Sequence, residues 1–133
     1  FTALTVSTMS VAPDTVRRFL ASTGSEIDAE GRAHYRRLIA NPRHVDGTLR
    51  MMAAWNLDGL IARMPRNEAR VVLLAAEKDG TVPPSVSEHA ARRLPHARVV
   101  HLAGLGHLAH EEAPARIADQ IFAALEGARA VSA

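Results

Sequence analysis

The chain is expected to be an α/β protein with parallel strands, and three observations predict it. Residues 71–76, VVLLAA, form an unbroken apolar run that is β-branched at its start, as suits a parallel strand buried on both faces. Residues 70–126 alternate strand-like and helix-like segments, whereas residues 1–64 carry helical periods joined by short polar turns. Asp79 and His107 each follow a strand-like segment closely, at the carboxyl edge where α/β proteins place their sites.

Each element has a local reason. Pro13-Asp14 opens a helix with Val16, Phe19 and Leu20 on one face. Residues 22–26 form a polar turn around Gly24. Asp28 can cap a second helix whose apolar stripe is Tyr35, Leu38 and Ile39. Asn41-Pro42 stops that helix and starts the next, because proline suits the first helical position. The third helix carries Val45, Leu49, Met52 and Ala53, and a short segment with Leu57, Leu60, Ile61 and Met64 leads to Pro65. After the first strand, Ser85 with Glu88 three residues on reads as a capping box, followed by Val86, Ala90 and Leu94 at helical spacing. Residues 97–102 make the second strand. Pro114 begins a final helix with Ile117, Ile121, Phe122 and Leu125 inward, ending near Gly127. A βαβα unit of this kind predicts parallel strands with a right-handed crossover. Two strands cannot hide both faces of a parallel sheet, so the pattern also predicts partner strands from outside these residues.

Composition narrows the function classes. The 133 residues are 47% hydrophobic and 23% charged, with a net charge of +2 and acids and bases interleaved, which leaves no basic patch dense enough to argue for nucleic acid. The absence of cysteine excludes disulfides and thiolate metal sites and fits a reducing compartment. The longest apolar run is residues 71–76, far short of the ~20 residues a membrane helix needs. The expected setting is the cytoplasm, with peripheral association at a membrane as the other option. The first residue is Phe1, so a native amino terminus is expected to lie further upstream.

The chemistry-bearing pattern is an acid and a base. An aspartate past one strand can accept a hydrogen bond from the Nδ1–H of a histidine past the next. That fixes the imidazole tautomer and stabilises the imidazolium formed when Nε2 takes a proton. Gly104 and Gly106 let the His107 loop turn tightly, and Pro83-Pro84 stiffen the far side of the Asp79 loop. Taken singly, Asp79-Gly80 is ordinary turn chemistry, and a histidine near a helix start can simply bond backbone. Taken together, strand, DG, PP, helix, strand and GxGH favour an acid–base pair.

These residues resemble the α/β-hydrolase superfamily, specifically its carboxy-terminal half. That family's pattern is strand, G/A-x-x-D-x-x-V-P, helix, strand and G-H-x-x-x-x-E-x-P. The chain has Ala76-Glu77-Lys78-Asp79-Gly80-Thr81-Val82-Pro83, then Gly106-His107 with Glu112 and Pro114. More narrowly, it resembles the hydrolase-like accessory proteins of magnesium chelatase in bacteriochlorophyll synthesis, through His44-Val45, Thr48-Leu49, Met51 to Leu57, Val82 to Pro84 and Gly104 to Glu112. The resemblance implies Asp79 as triad acid, His107 as triad base and Glu112 as a supporting carboxylate at the start of the last helix. It implies residues 1–64 as a helical cap (lid) and residues 65–133 as the last βαβα part of the core. It also implies a small hydrophobic substrate or a tetrapyrrole as partner, and no cofactor.

The departure from that family is the nucleophile. The elbow string G-x-S-x-G does not occur, and Ser7, Ser10, Ser22, Ser25, Ser85, Ser87 and Ser132 all lack its context. The expectation is therefore a serine-type hydrolase of ester or similar acyl bonds whose nucleophile half lies in a missing amino-terminal portion of the same fold. These residues alone would be inactive and would expose a sheet edge. The alternative is a non-catalytic tetrapyrrole-binding or accessory module on a hydrolase scaffold.

Two further clusters invite a role. His107 and His110 with Glu111 and Glu112 suggest a metal, but zinc needs a third protein ligand that the spacing does not supply. Met51, Met52 and Trp55, with Leu57, Leu60 and Met64, could line a pocket for a large flat hydrophobic molecule, since methionine adapts to irregular ligands. Packing of that face onto the sheet domain is the blander reading. Through the resemblance alone, His34 or His44 could reach a tetrapyrrole magnesium. The pairs Arg17-Arg18, Arg36-Arg37 and Arg92-Arg93 read as solvated helix faces.

Overall fold

Proline, asparagine and aspartate set most of the boundaries. The computed structural model describes residues 13–129. Its order is α1 (Pro13–Ser22), α2 (Ala29–Ile39), α3 (Pro42–Ala53), α4 (Asp58–Arg63), a 3₁₀ turn (Met64–Arg66), β1 (Val71–Ala76), α5 (Pro84–Ala91), β2 (Ala97–Leu102), the short α6 (Ala109–Glu112) and α7 (Pro114–Arg129). Asp28 caps α2, its carboxylate accepting from the Gly31 N–H at 2.7 Å. Asn41 caps α3 through the N–H groups of Arg43 and His44, with Pro42 at the first helical position. Ser7, Ser10 and Ser132 lie outside the described residues.

β1 and β2 pair in parallel, with Val71 opposite Ala97 and Ala76 opposite Leu102. In register they end together, so both following loops leave from one edge. Burial rises along β1, half-buried through Leu74 and buried at Ala75 and Ala76, so the strand is fully enclosed only at its carboxyl end.

Two small cores meet at that end. One joins Ala76, Leu102, Ala109 and Ile117, with Leu74, Val100 and Leu105 packed against them. The other joins Val16, Leu20 and Ile27 with Tyr35, Ile39 and Leu108. The loop after β2 therefore gives Leu105 to one core and Leu108 to the other, and His107 lies between them.

Several expected details differ. Ser85 and Glu88 do not form a capping box: Pro83 is extended and Pro84 takes the first helical position, which moves Ser85 inside α5, and no side chain caps the helix. Glu88 instead lies 3.8 Å from His101 Nε2. The last helix runs through Gly127 to Arg129, since one glycine near a helix end costs only about 1 kcal/mol. Ile121, Phe122 and Leu125 were expected inward, yet they are exposed, as are Phe19, Leu38, Leu49 and Val86 of the other helical apolar stripes. Helical periodicity marks which residues share a face but not what covers it, and of the helical apolar residues named from the sequence, Val16, Leu20 and Ile117 are the buried ones.

Candidate active site

Asp79 stands three residues past β1 in a turn of its own making. Its Oδ1 accepts from the N–H groups of Thr81 at 2.8 Å and Val82 at 2.7 Å. The other oxygen, Oδ2, is thereby left pointing out of the turn, and it meets His107 Nδ1 at 2.9 Å. The His107 side chain is 36% exposed and that of Asp79 only 11%. Among the described residues His107 Nε2 has no hydrogen-bond partner. Such an arrangement can serve a general base, with one nitrogen anchored on a carboxylate and the other open.

Partial burial would push the Asp79 carboxyl up from its usual 3.8, but the Val82 N–H, His107 and the Thr81 N–H outweigh that effect and hold it lower. The folded carboxyl gives up its proton more readily than the unfolded one. It therefore contributes stability above about pH 3.8 that is lost as pH falls through the lower folded value. The melting-temperature gap between the wild type and Asp79→Asn is expected to be full near about pH 5 and to close in more acid solution. A gap that stays constant down through acid pH would contradict this.

The third element of the site was read from sequence only as a polar turn. Residues 22–25 lie against both loops, with Thr23 7% and Ser25 5% exposed. The Thr23 carbonyl accepts from the N–H of Gly80 and of His107, each at 3.1 Å. Ser25 Oγ accepts from the Leu108 N–H at 2.8 Å. The approach is so close that a Cβ on Gly24 would lie 1.6 Å from the Lys78 carbonyl oxygen, and one on Gly106 would lie 2.3 Å from the Gly24 carbonyl carbon. Gly24 has φ +78°, which favours glycine independently. The loops also touch directly, through Lys78 N–H to the Leu105 carbonyl at 2.8 Å.

Glu112 lies beside the histidine loop, with contacts different from those expected. It ends α6, two residues before α7, and its carboxylate does not serve the start of that helix. It accepts from the Gly106 N–H at 2.8 Å and from the Glu26 N–H at 3.2 Å, tying the histidine loop to the helical segment. Glu111 takes the Tyr35 hydroxyl. Burial first, then that bond and the carboxylate charge, push the tyrosine up to about 12. His110 Nε2 is 3.7 Å from Glu111. His107 and Glu112 thus have other partners, and no group of three metal-binding side chains converges among the described residues.

Met51, Met52 and Trp55 do not join the site. They are 54%, 50% and 61% exposed, Met51 and Met52 at the end of α3, which packs against α2, and Trp55 in the segment just past that helix. A cleft of about 650 Å³ runs between the amino ends of the strands, at Val71, Val72 and Ala97, and Ile121 and Leu125 of α7. It lies at the opposite end of the sheet from Asp79 and His107, so it is no part of the acid–base site. No helix among the described residues is long and apolar enough to cross a membrane.

A profile of the alpha/beta hydrolase fold matches residues 6–114, which include Asp79, His107 and the whole loop to Pro114. The chain belongs to the alpha/beta hydrolase fold family. The "Magnesium-chelatase 30 kDa subunit" of Rhodobacter capsulatus is 45% identical to it over 127 residues. That alignment takes in 96% of this chain and 44% of the relative, so the chain spans less than half the relative's length. Within the hydrolase fold, an acid after one strand and a histidine after a later one follow the order in which that fold places its triad partners, behind a nucleophile that comes earlier.

Proposed function

We propose that Asp79 and His107 are the acid and base of a serine-type hydrolase acting on an ester or similar acyl bond, and that the serine is supplied by a preceding part of the protein. The observation that carries this reading is the 2.9 Å contact of His107 Nδ1 with Asp79 Oδ2, with Nε2 open. The serine hydroxyl would give its proton to Nε2 as its oxygen adds to the acyl carbon. Nε2–H would then pass that proton to the departing alkoxide, leaving an acyl-enzyme. Water, deprotonated by the same nitrogen, would release the acid. Asp79 stays ionised throughout, holding Nδ1–H and stabilising the imidazolium. On this reading residues 1–64 are the cap over the site and residues 65–133 the end of the core.

A second reading is favoured by the relative's name. The chain would then be part of an accessory protein of magnesium chelatase, in bacteriochlorophyll synthesis, that binds a tetrapyrrole without cleaving it. The exposed Met51, Met52 and Trp55 surface suits a large flat apolar ligand.

The full-length protein separates the two. Turnover of p-nitrophenyl butyrate without any spectral response to a magnesium porphyrin supports the hydrolase. A shifted porphyrin absorption band with no ester turnover supports the binding module and sinks the hydrolase.

A further inference from the structure

The Asp79–His107 contact depends on two loops being held at one separation, and neither loop fixes that separation alone. The acid loop is shaped by its own Asx-type turn. The base loop is anchored by Leu105 and Leu108 in different cores. What touches both loops is the turn at residues 22–25. Its Thr23 carbonyl takes one N–H from each loop, at Gly80 and at His107 itself, so the backbone of the base and that of the residue after the acid share one acceptor. Ser25 adds the next N–H along, that of Leu108. Glu112 closes the circuit by bonding Gly106 N–H on one side of His107 and Glu26 N–H on the turn. Three consecutive amides, at Gly106, His107 and Leu108, therefore answer to acceptors that belong to the turn or are tied to it.

We infer that Ser25 is a positioning residue: its buried hydroxyl, with the Thr23 carbonyl, clamps the base loop against the acid loop and so sets the His107–Asp79 contact from the helical segment. This rests on the acid–base reading of that pair. It goes beyond that reading by placing a third element, distant in sequence from both loops, in control of the pair's geometry. The chemistry is backbone hydrogen bonding at buried acceptors. Removing one leaves the half-buried Leu108 N–H to seek water and frees the loop to drift. The Thr23 carbonyl cannot be deleted by substitution, so Ser25 is the experimental handle.

The test uses the full-length protein and two readouts. The first is the low-field proton resonance of His107 Nδ1–H, identified by its disappearance in His107→Gln. The second is ester turnover. Ser25→Ala is expected to broaden or abolish the resonance while the far-ultraviolet circular dichroism and cooperative melting persist. It is also expected to lower kcat about 10- to 100-fold with KM within about twofold, as a displacement on the order of 1 Å at a reacting group does. Should Ser25→Ala fail to fold, Ser25→Cys keeps the volume and offers only a weak acceptor, and the same loss of signal is expected from it. An unchanged resonance in the folded variant overturns the inference, whatever the turnover. A wild-type protein that cleaves no ester, yet loses the resonance in Ser25→Ala, overturns the hydrolase reading and supports the clamp.

Discussion

Replacing His107 by alanine in the full-length protein is expected to reduce ester turnover by about 10⁴-fold or more, with kcat and kcat/KM falling together. The loss would be so large because, on the proposed mechanism, one imidazole performs both proton transfers. Among the described residues the nearest alternative in sequence, His110, faces Glu111 instead. Stability should change little by comparison, since the His107 side chain is over one-third exposed and its loop is held by backbone bonds at residues 106–108. Asp79→Asn is the sharper companion. An asparagine Oδ1 can still accept from the Thr81 and Val82 amides, so the turn survives. Its amide group, however, presents N–H to Nδ1, which puts the imidazole proton on Nε2 and removes the base. A drop on the order of 10⁴-fold at neutral pH follows, with the fold intact. Steady-state kinetics on both variants, with melting curves alongside, checks this. Turnover retained in either folded variant would exclude Asp79 and His107 from the chemistry.

The pair was legible in sequence because its causes are local. Strand ends are marked by the close of apolar runs, and parallel pairing in register brings the residues just past Ala76 and Leu102 to one edge. The helix starts were legible for the same reason, as Asp28, Asn41, Pro42 and Pro114 act on their immediate neighbours. The capping box failed where two local signals competed and Pro84 at the first helical position displaced Ser85. The turn at 22–25 was invisible for a deeper reason. Most of its work is done by a carbonyl oxygen and by the absence of side chains at Gly24, Gly80 and Gly106, and no residue type announces a carbonyl's partner. A glycine in each of three separate turns was the one trace available. The exposed Ile121, Phe122 and Leu125 of α7 were misread for the complementary reason: periodicity identifies a face, and burial depends on what packs there.

Glycine-to-alanine exchanges in the full-length protein should divide sharply according to what each missing side chain permits. Gly24→Ala is expected to be the most damaging, at about 2–5 kcal/mol. The left-handed backbone costs an alanine about 1–2 kcal/mol, and forcing the new methyl away from the Lys78 carbonyl adds about 1–3 kcal/mol of overpacking. That oxygen would be only 1.6 Å away and belongs to backbone, so no side-chain rotation relieves it. Gly104 has the same φ of +78° but nothing within 4 Å of its missing Cβ, so Gly104→Ala should carry the conformational cost alone, about 1–2 kcal/mol. Gly47 lies inside α3 with ordinary φ and open space, and Gly47→Ala should stabilise by about 0.5–1 kcal/mol. Urea midpoints at constant slope measure all three. The difference between Gly24 and Gly104 isolates the contact between the turn and the acid loop from the dihedral that both share. Equal costs at the two positions would mean that the turn does not press on Lys78 in the folded protein. With that contact gone, the shared Thr23 carbonyl would no longer be placed to hold Gly80 and His107 at one distance.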